Sequence, residues 1–213
     1  MKNTKKKNII VVILTIIITT IILIIGFFNI SSSSDISFIK LSDRENQLAS
    51  MVGENTFAVN ISYPDNIKGK VISYEVWENG KITDKNSILY GDTDIINKEE
   101  TLISIYDLSD DNKKCTLNIS TDSIRTKFDI NLDKTVTAYT PFSVKDNVKT
   151  KLKPNNTYIL SAMAFSNGNS MRSFNSDSLD YNYKEFKNTI SKNNTYIVLK
   201  LDTFKTEKEA ENF

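Results

Sequence analysis

From position 9 to position 28 the chain carries no charge, and apart from three threonines and one glycine every residue there is apolar. Twenty such residues at about 1.5 Å rise match the roughly 30 Å hydrocarbon thickness of a bilayer, where a helix satisfies all its backbone groups internally. Lys2, Lys5, Lys6 and Lys7 precede the run, and no basic residue follows it until Lys40. Positive charge stays on the cytoplasmic side, so the expected layout is a basic tail over 1–8, a transmembrane helix over 9–28, a tether over 29–37 and an extracytoplasmic domain over 38–213. The competing reading is secretion after signal-peptide cleavage, with Ser31 and Ser33 as the small residues. Against it, an apolar core of about 20 residues exceeds the 7–15 usual for a signal peptide.

Of the 27 basic residues, four belong to the tail, which leaves 23 against 26 acidic ones outside it. A slightly acidic domain without a basic stripe is a poor match to phosphate backbones, so nucleic acid is not an expected partner. Cys115 is the only cysteine and there is no histidine. That excludes an intramolecular disulfide, a Ser-His-Asp or Cys-His catalytic set and any histidine-bearing metal centre. Cys115 alternates with Leu117 and Ile119 in a strand pattern and reads as a buried, inert thiol. No cofactor is expected. Abundant Lys, Asn, Ile, Ser and Thr suggest an AT-rich genome and a bacterial envelope protein.

Beyond the tether the apolar period changes. Ser42-Asp43-Arg44-Glu45 is a capping box that opens a helix to about Val52, with Gly53 as its stop and Leu48, Met51 and Val52 as its buried face. Thereafter the period is two: Phe57, Val59 and Ile61; then Ile72, Tyr74 and Val76, running to the hairpin dipeptide Asn79-Gly80. A partner strand is expected over 81–89, with others over 102–108, 115–119, 124–132, 136–142, 158–165 and 196–204, and a short one over 38–41. Many short strands separated by polar turns predict a mainly β fold: an antiparallel immunoglobulin-like or jelly-roll β-sandwich with one short helix. Residues 177–192 break the rhythm and read as a helix or a long loop.

Within 152–160, Leu152, Pro154 and Tyr158 resemble the tyrosine corner of fibronectin type III and immunoglobulin-like domains. The resemblance implies that the Tyr158 hydroxyl bonds back to the nearby backbone. The layout as a whole is similar to membrane-anchored proteins of Gram-positive bacteria.

Chemistry is sparse in the sequence. Ser37 and Lys40 have Ser-x-x-Lys spacing but lie beside the tether, far from any setting that chemistry needs. Oxygen ligands for calcium are conceivable at Asp107, Asp110 and Asp111, although Asp and Asn are also ordinary turn residues. Trp77, Tyr63, Tyr181 and Tyr183 are candidate ligand-binding aromatics, with cover by a helix or by residues 177–192 as the alternative role for Trp77. The expectation is a non-enzymatic binding or interaction module at the cell envelope. It would hold the bilayer through its N-terminal helix and meet a membrane protein, a wall protein or a glycan. A structural or regulatory subunit of a membrane complex is the first alternative and an unrecognised hydrolase the distant one.

Overall fold

The structure, a computed structural model, describes residues 35–93, 99–132, 135–141, 149–168, 182–190 and 194–213. The apolar run over 9–28 and Tyr181 lie outside the described residues. Among those described, no helix is long and apolar enough to cross a membrane.

Residues 34–213 form one compact unit. It is mainly β, built from two antiparallel sheets. β1 (Asp35–Phe38), β2 (Asn55–Ser62), β5 (Glu99–Leu108), β6 (Lys114–Ser120), β7 (Arg125–Asn131) and β9 (Lys149–Lys151) make the first, in the order β7-β6-β5-β2-β1-β9. β3 (Gly69–Glu78), β4 (Lys81–Asp92), β8 (Ala138–Pro141), β10 (Asn156–Ser166) and β11 (Thr195–Phe204) make the second, in the order β4-β3-β11-β10-β8. The first strand begins at Asp35, inside the stretch assigned to the tether.

Alternation builds the core. Ile36, Val59, Ile61, Leu102, Cys115, Leu117 and Ile119 of one sheet meet Ile72, Tyr74, Val76, Met163, Phe165, Ile197, Leu199 and Leu201 of the other in a single buried cluster. Asn79 and Gly80 take positive φ values of 52° and 75°, the two-residue turn whose twist suits a hairpin, and β3 and β4 pair across it. A register shift in β10 turns both Leu160 and Ser161 inward. Ser161 then meets Ser104 at 2.7 Å and the Tyr106 hydroxyl at 3.0 Å, which satisfies three buried hydroxyls across the sheets.

Among the described residues three helices accompany the sheets, α1 (Asp43–Ser50), α2 (Tyr183–Thr189) and α3 (Glu207–Glu211), where one short helix was expected and 177–192 was read as a helix or a long loop. The capping box of α1 is in place, with Ser42 and Glu45 bonded reciprocally. The residues expected to form its buried face are not buried, however: Leu48 is 58% exposed, and just past the helix end Met51 is 83% and Val52 52% exposed. The capping geometry was local and legible; which surface α1 would cover depended on tertiary placement.

α2 and α3 lie on the outer face of the second sheet. Phe186 packs with Ile159, Ala162, Ala164, Tyr196 and Val198 in a second buried cluster. Gly69 lets α3 approach β3, since a Cβ there would stand 2.6 Å from the Thr206 carbonyl oxygen and 2.9 Å from Ala210 Cβ. With both faces covered, most of β3, β10 and β11 is continuously buried rather than alternating.

Candidate functional site

The covered outer face of the second sheet holds charges. Glu75 on β3 and Lys200 and Asp202 on β11 are each 4% exposed or less. Lys200 Nζ lies 2.9 Å from Glu75 Oε1 and 3.1 Å from Asp202 Oδ2, so one ammonium serves two carboxylates. The opposite oxygen of Glu75 accepts from Trp77 Nε1 at 2.9 Å and from the Tyr183 hydroxyl. Asp202 Oδ1 accepts from the Thr157 hydroxyl. Desolvation first, then the hydrogen bond and charge of Glu75, holds the Tyr183 phenol well above its ordinary range, so it stays a donor. Buried charges that are paired and also hydrogen-bonded are the arrangement burial requires.

Through Asp202 and Thr157 this network reaches an open hollow of about 720 Å³ between the turn before β10 and α3. Asn155, Asn156, Thr157 and Thr203 line it with amides and hydroxyls, and Phe204 and Phe213 supply rings 5.4 Å apart in an edge-on arrangement. Asn155 holds a positive φ of 58°, a turn conformation asparagine tolerates, and its exposed side chain stands at the rim. Lys85 Nζ and Lys200 Nζ lie 4.2 and 5.3 Å from the Phe213 ring centroid, within cation–π reach. Convergent amides and hydroxyls beside an aromatic edge can hydrogen-bond and stack a polar, hydroxyl-rich ligand.

The predicted residues are distributed unevenly about this site. Trp77 and Tyr183 meet through Glu75; both are half-buried and pack against the second cluster. Tyr63 lies elsewhere, 2% exposed, with its ring 4.9 Å from Lys70 Nζ between the sheets. Asp107 belongs to β5, paired with Thr116, while Asp110 and Asp111 stand in the turn that follows. Asp111 accepts from the Ser109 hydroxyl and the Lys113 amide, and these bonds hold its carboxyl below the usual range. That is how an aspartate closes a turn. Among the described residues no group of three or more acidic, cysteine or histidine side chains could hold a metal ion. Ser37 sits on β1, not on a helix. Burial pushes the Cys115 thiol up to about 12, which leaves it a neutral core group.

A second surface lies over the outer face of the first sheet. Val52, Ile103, Ile105 and the stem of Lys127 line a groove of about 540 Å³ near the exposed Leu48 and Met51.

Sequence reasoning passed over Glu75, Lys200 and Asp202. The clue was available: Lys200 and Asp202 stand at alternate positions of an otherwise apolar strand, on the face opposite Leu199 and Leu201.

No family model matches the chain, and no curated protein or solved structure matches it either.

Proposed function

We propose that the chain is a membrane-anchored binding module of the bacterial cell envelope. In this reading a helix over 9–28 crosses the bilayer, and an immunoglobulin-like or jelly-roll sandwich outside takes a hydroxyl-rich ligand, a glycan, in the hollow beside Asn156 and Phe213. The observation that carries it is the hollow itself, whose amides and hydroxyls converge beside paired phenyl rings with the buried Asp202 in its wall. Support for the immunoglobulin-like assignment is the Tyr158 hydroxyl, which accepts from the Lys153 amide at 2.8 Å and approaches the Lys151 carbonyl at 3.4 Å. Binding proceeds without turnover.

The test is titration of the 34–213 domain with cell-wall oligosaccharides while following backbone amide chemical shifts. Shifts confined to 155–157, 203–206 and 212–213, abolished by Asn156→Ala with the melting temperature unchanged, are the expected result. Absence of shifts at millimolar oligosaccharide, or shifts clustered elsewhere, would remove the hollow from the reading. A second reading, a subunit of a membrane complex, draws on the apolar surface at Leu48, Met51 and Val52. Crosslinking in intact cells separates the two, since that reading demands a discrete protein partner and the first does not.

A further inference from the structure

Between the sheets, at one end of the core, Lys70 and Glu100 form an ion pair from which solvent is excluded. Lys70 is 0% exposed and Glu100 1%. Lys70 belongs to β3 and shares its inward face with Ile72; Glu100 belongs to β5, opposite Ile61 of β2 and two positions before Leu102. The pair therefore bridges one sheet to the other. Tyr63 closes the site: its ring lies 4.9 Å from Lys70 Nζ and its hydroxyl is 3.5 Å from Glu100 Oε2. Glu100 Oε1 accepts no hydrogen bond among the described residues. Glu75 in the outer network receives hydrogen bonds from Trp77 and Tyr183, whereas at Glu100 one carboxylate oxygen lacks a hydrogen bond, as Asp202 Oδ2 does in that network.

We propose that Lys70 and Glu100 are joined by an amide bond, a covalent tie between the two sheets. Two charges taken out of water are held at a cost that a lone ion pair often fails to offset, and more so when an oxygen is left unpaired. Condensation removes both charges at once. Burial, the largest influence on Lys70, lowers its affinity for a proton and so eases access to the neutral amine, the nucleophilic form, against the opposing pull of Glu100 and of Asp122. A proton passes from the Lys70 ammonium to the Glu100 carboxylate, giving neutral amine and neutral acid. Lys70 Nζ then attacks Glu100 Cδ, forming the C–N bond. The Cδ–Oε2 bond breaks, and that oxygen leaves as water with one proton from the acid and one from the amine. Tyr63, whose hydroxyl faces Oε2, donates to the departing oxygen. No oxidant or co-reactant enters. Held together by two sheets, amine and carboxyl react as an intramolecular pair, for which effective molarities of about 10⁵–10⁸ M are attainable. With one cysteine in the chain, no intramolecular disulfide competes for this role.

Tryptic digestion of the full chain purified from membranes, followed by mass spectrometry, tests the bond. An acylated Lys70 resists trypsin, so the expected product is a branched species in which peptide 69–81 is joined to peptide 99–113 at a mass one water below their sum. Fragmentation must place the junction at Glu100. Lys70→Arg should release 99–113 as a linear peptide of full mass. Recovery from the wild type of 71–81 and linear 99–113 would overturn the proposal and leave an ion pair. A junction at Glu99, or a branched species that persists in Lys70→Arg, would overturn it equally.

Discussion

Lys200→Met isolates the charge that organises the outer face of the second sheet. Methionine keeps most of the aliphatic stem, so packing against β3 is largely conserved while the ammonium is lost. What remains is Glu75, 2% exposed, and Asp202, 4% exposed, which lose a shared cation that stood 2.9 and 3.1 Å away. Removing one partner from a buried pair typically costs about 3–5 kcal/mol, because the abandoned charge stays desolvated. Against a total stability of roughly 5–15 kcal/mol this is a large fraction. With a urea m-value near 2 kcal/mol/M, the midpoint should fall by about 2 M. The assay is equilibrium urea unfolding of the 34–213 domain followed by tryptophan fluorescence, Trp77 being the only tryptophan and bonded to Glu75. Adding Glu75→Gln to Lys200→Met removes one stranded charge, so the double variant should lose less than the sum of the two single losses. A loss below about 1 kcal/mol for Lys200→Met, the range of solvent-exposed pairs, would refute the reasoning and place water against these carboxylates.

Trp77→Ala should lower stability by about 1.5–2.5 kcal/mol, roughly half of a fully buried tryptophan truncation, because the ring is half-buried against the second cluster, which includes Tyr196 and Val198. For a domain of this size that is a drop of about 3–10 °C in calorimetric melting temperature, and an unchanged melting temperature would make Trp77 a free surface ring instead. Gly69→Ala forces a methyl group against the Thr206 carbonyl, so α3 should lift and peptide bonds after 205 should become protease-sensitive at a loss of about 1–3 kcal/mol. Cys115 should resist aromatic disulfide reagents at pH 8 in the native domain and react at once in urea. Its thiol is raised from 9.0 in the unfolded reference to about 12, so the stabilisation it contributes is complete below pH 9 and is lost as pH climbs through about 12, which pH-dependent unfolding will read.

What the sequence revealed and what it hid follow from the range of the interactions involved. Patterns spanning a few residues were legible: the alternation of Phe57, Val59 and Ile61, the Asn79-Gly80 turn and the Ser42–Glu45 capping box all recur in the fold, because each is decided by neighbours along the chain. The Leu48, Met51 and Val52 face of α1 misled, since an apolar stripe states only that burial would be favourable and not that a partner surface lies within reach. Tyr63 misled in the opposite direction. A tyrosine beside Pro64 and Asp65 reads as a rim aromatic, yet the turn folds it back over Lys70, where its ring is buried and its hydroxyl meets Glu100.

The candidate site was hidden for a different reason. The hollow is lined from the turn before β10, from β11 and from the residues around α3, and the adjoining ion pair adds Glu75 of β3, so no window of sequence contains them together. Even so, β11 held the decisive clue in its alternation. Inward positions Ile197, Leu199 and Leu201 demand an apolar core, and a strand open to water on its other face would carry polar side chains at every alternate place. It carries Tyr196, Val198, Lys200 and Asp202 instead. A face that mixes aromatic and aliphatic side chains with adjacent charges of opposite sign is one that something covers, and the covering elements must bring partners for those charges. α2 brings the Tyr183 hydroxyl to Glu75, and the chain around α3 sets Phe213 against Lys200. The charges on β11 therefore foretold the second layer, and one of them, Asp202, lines the proposed binding hollow.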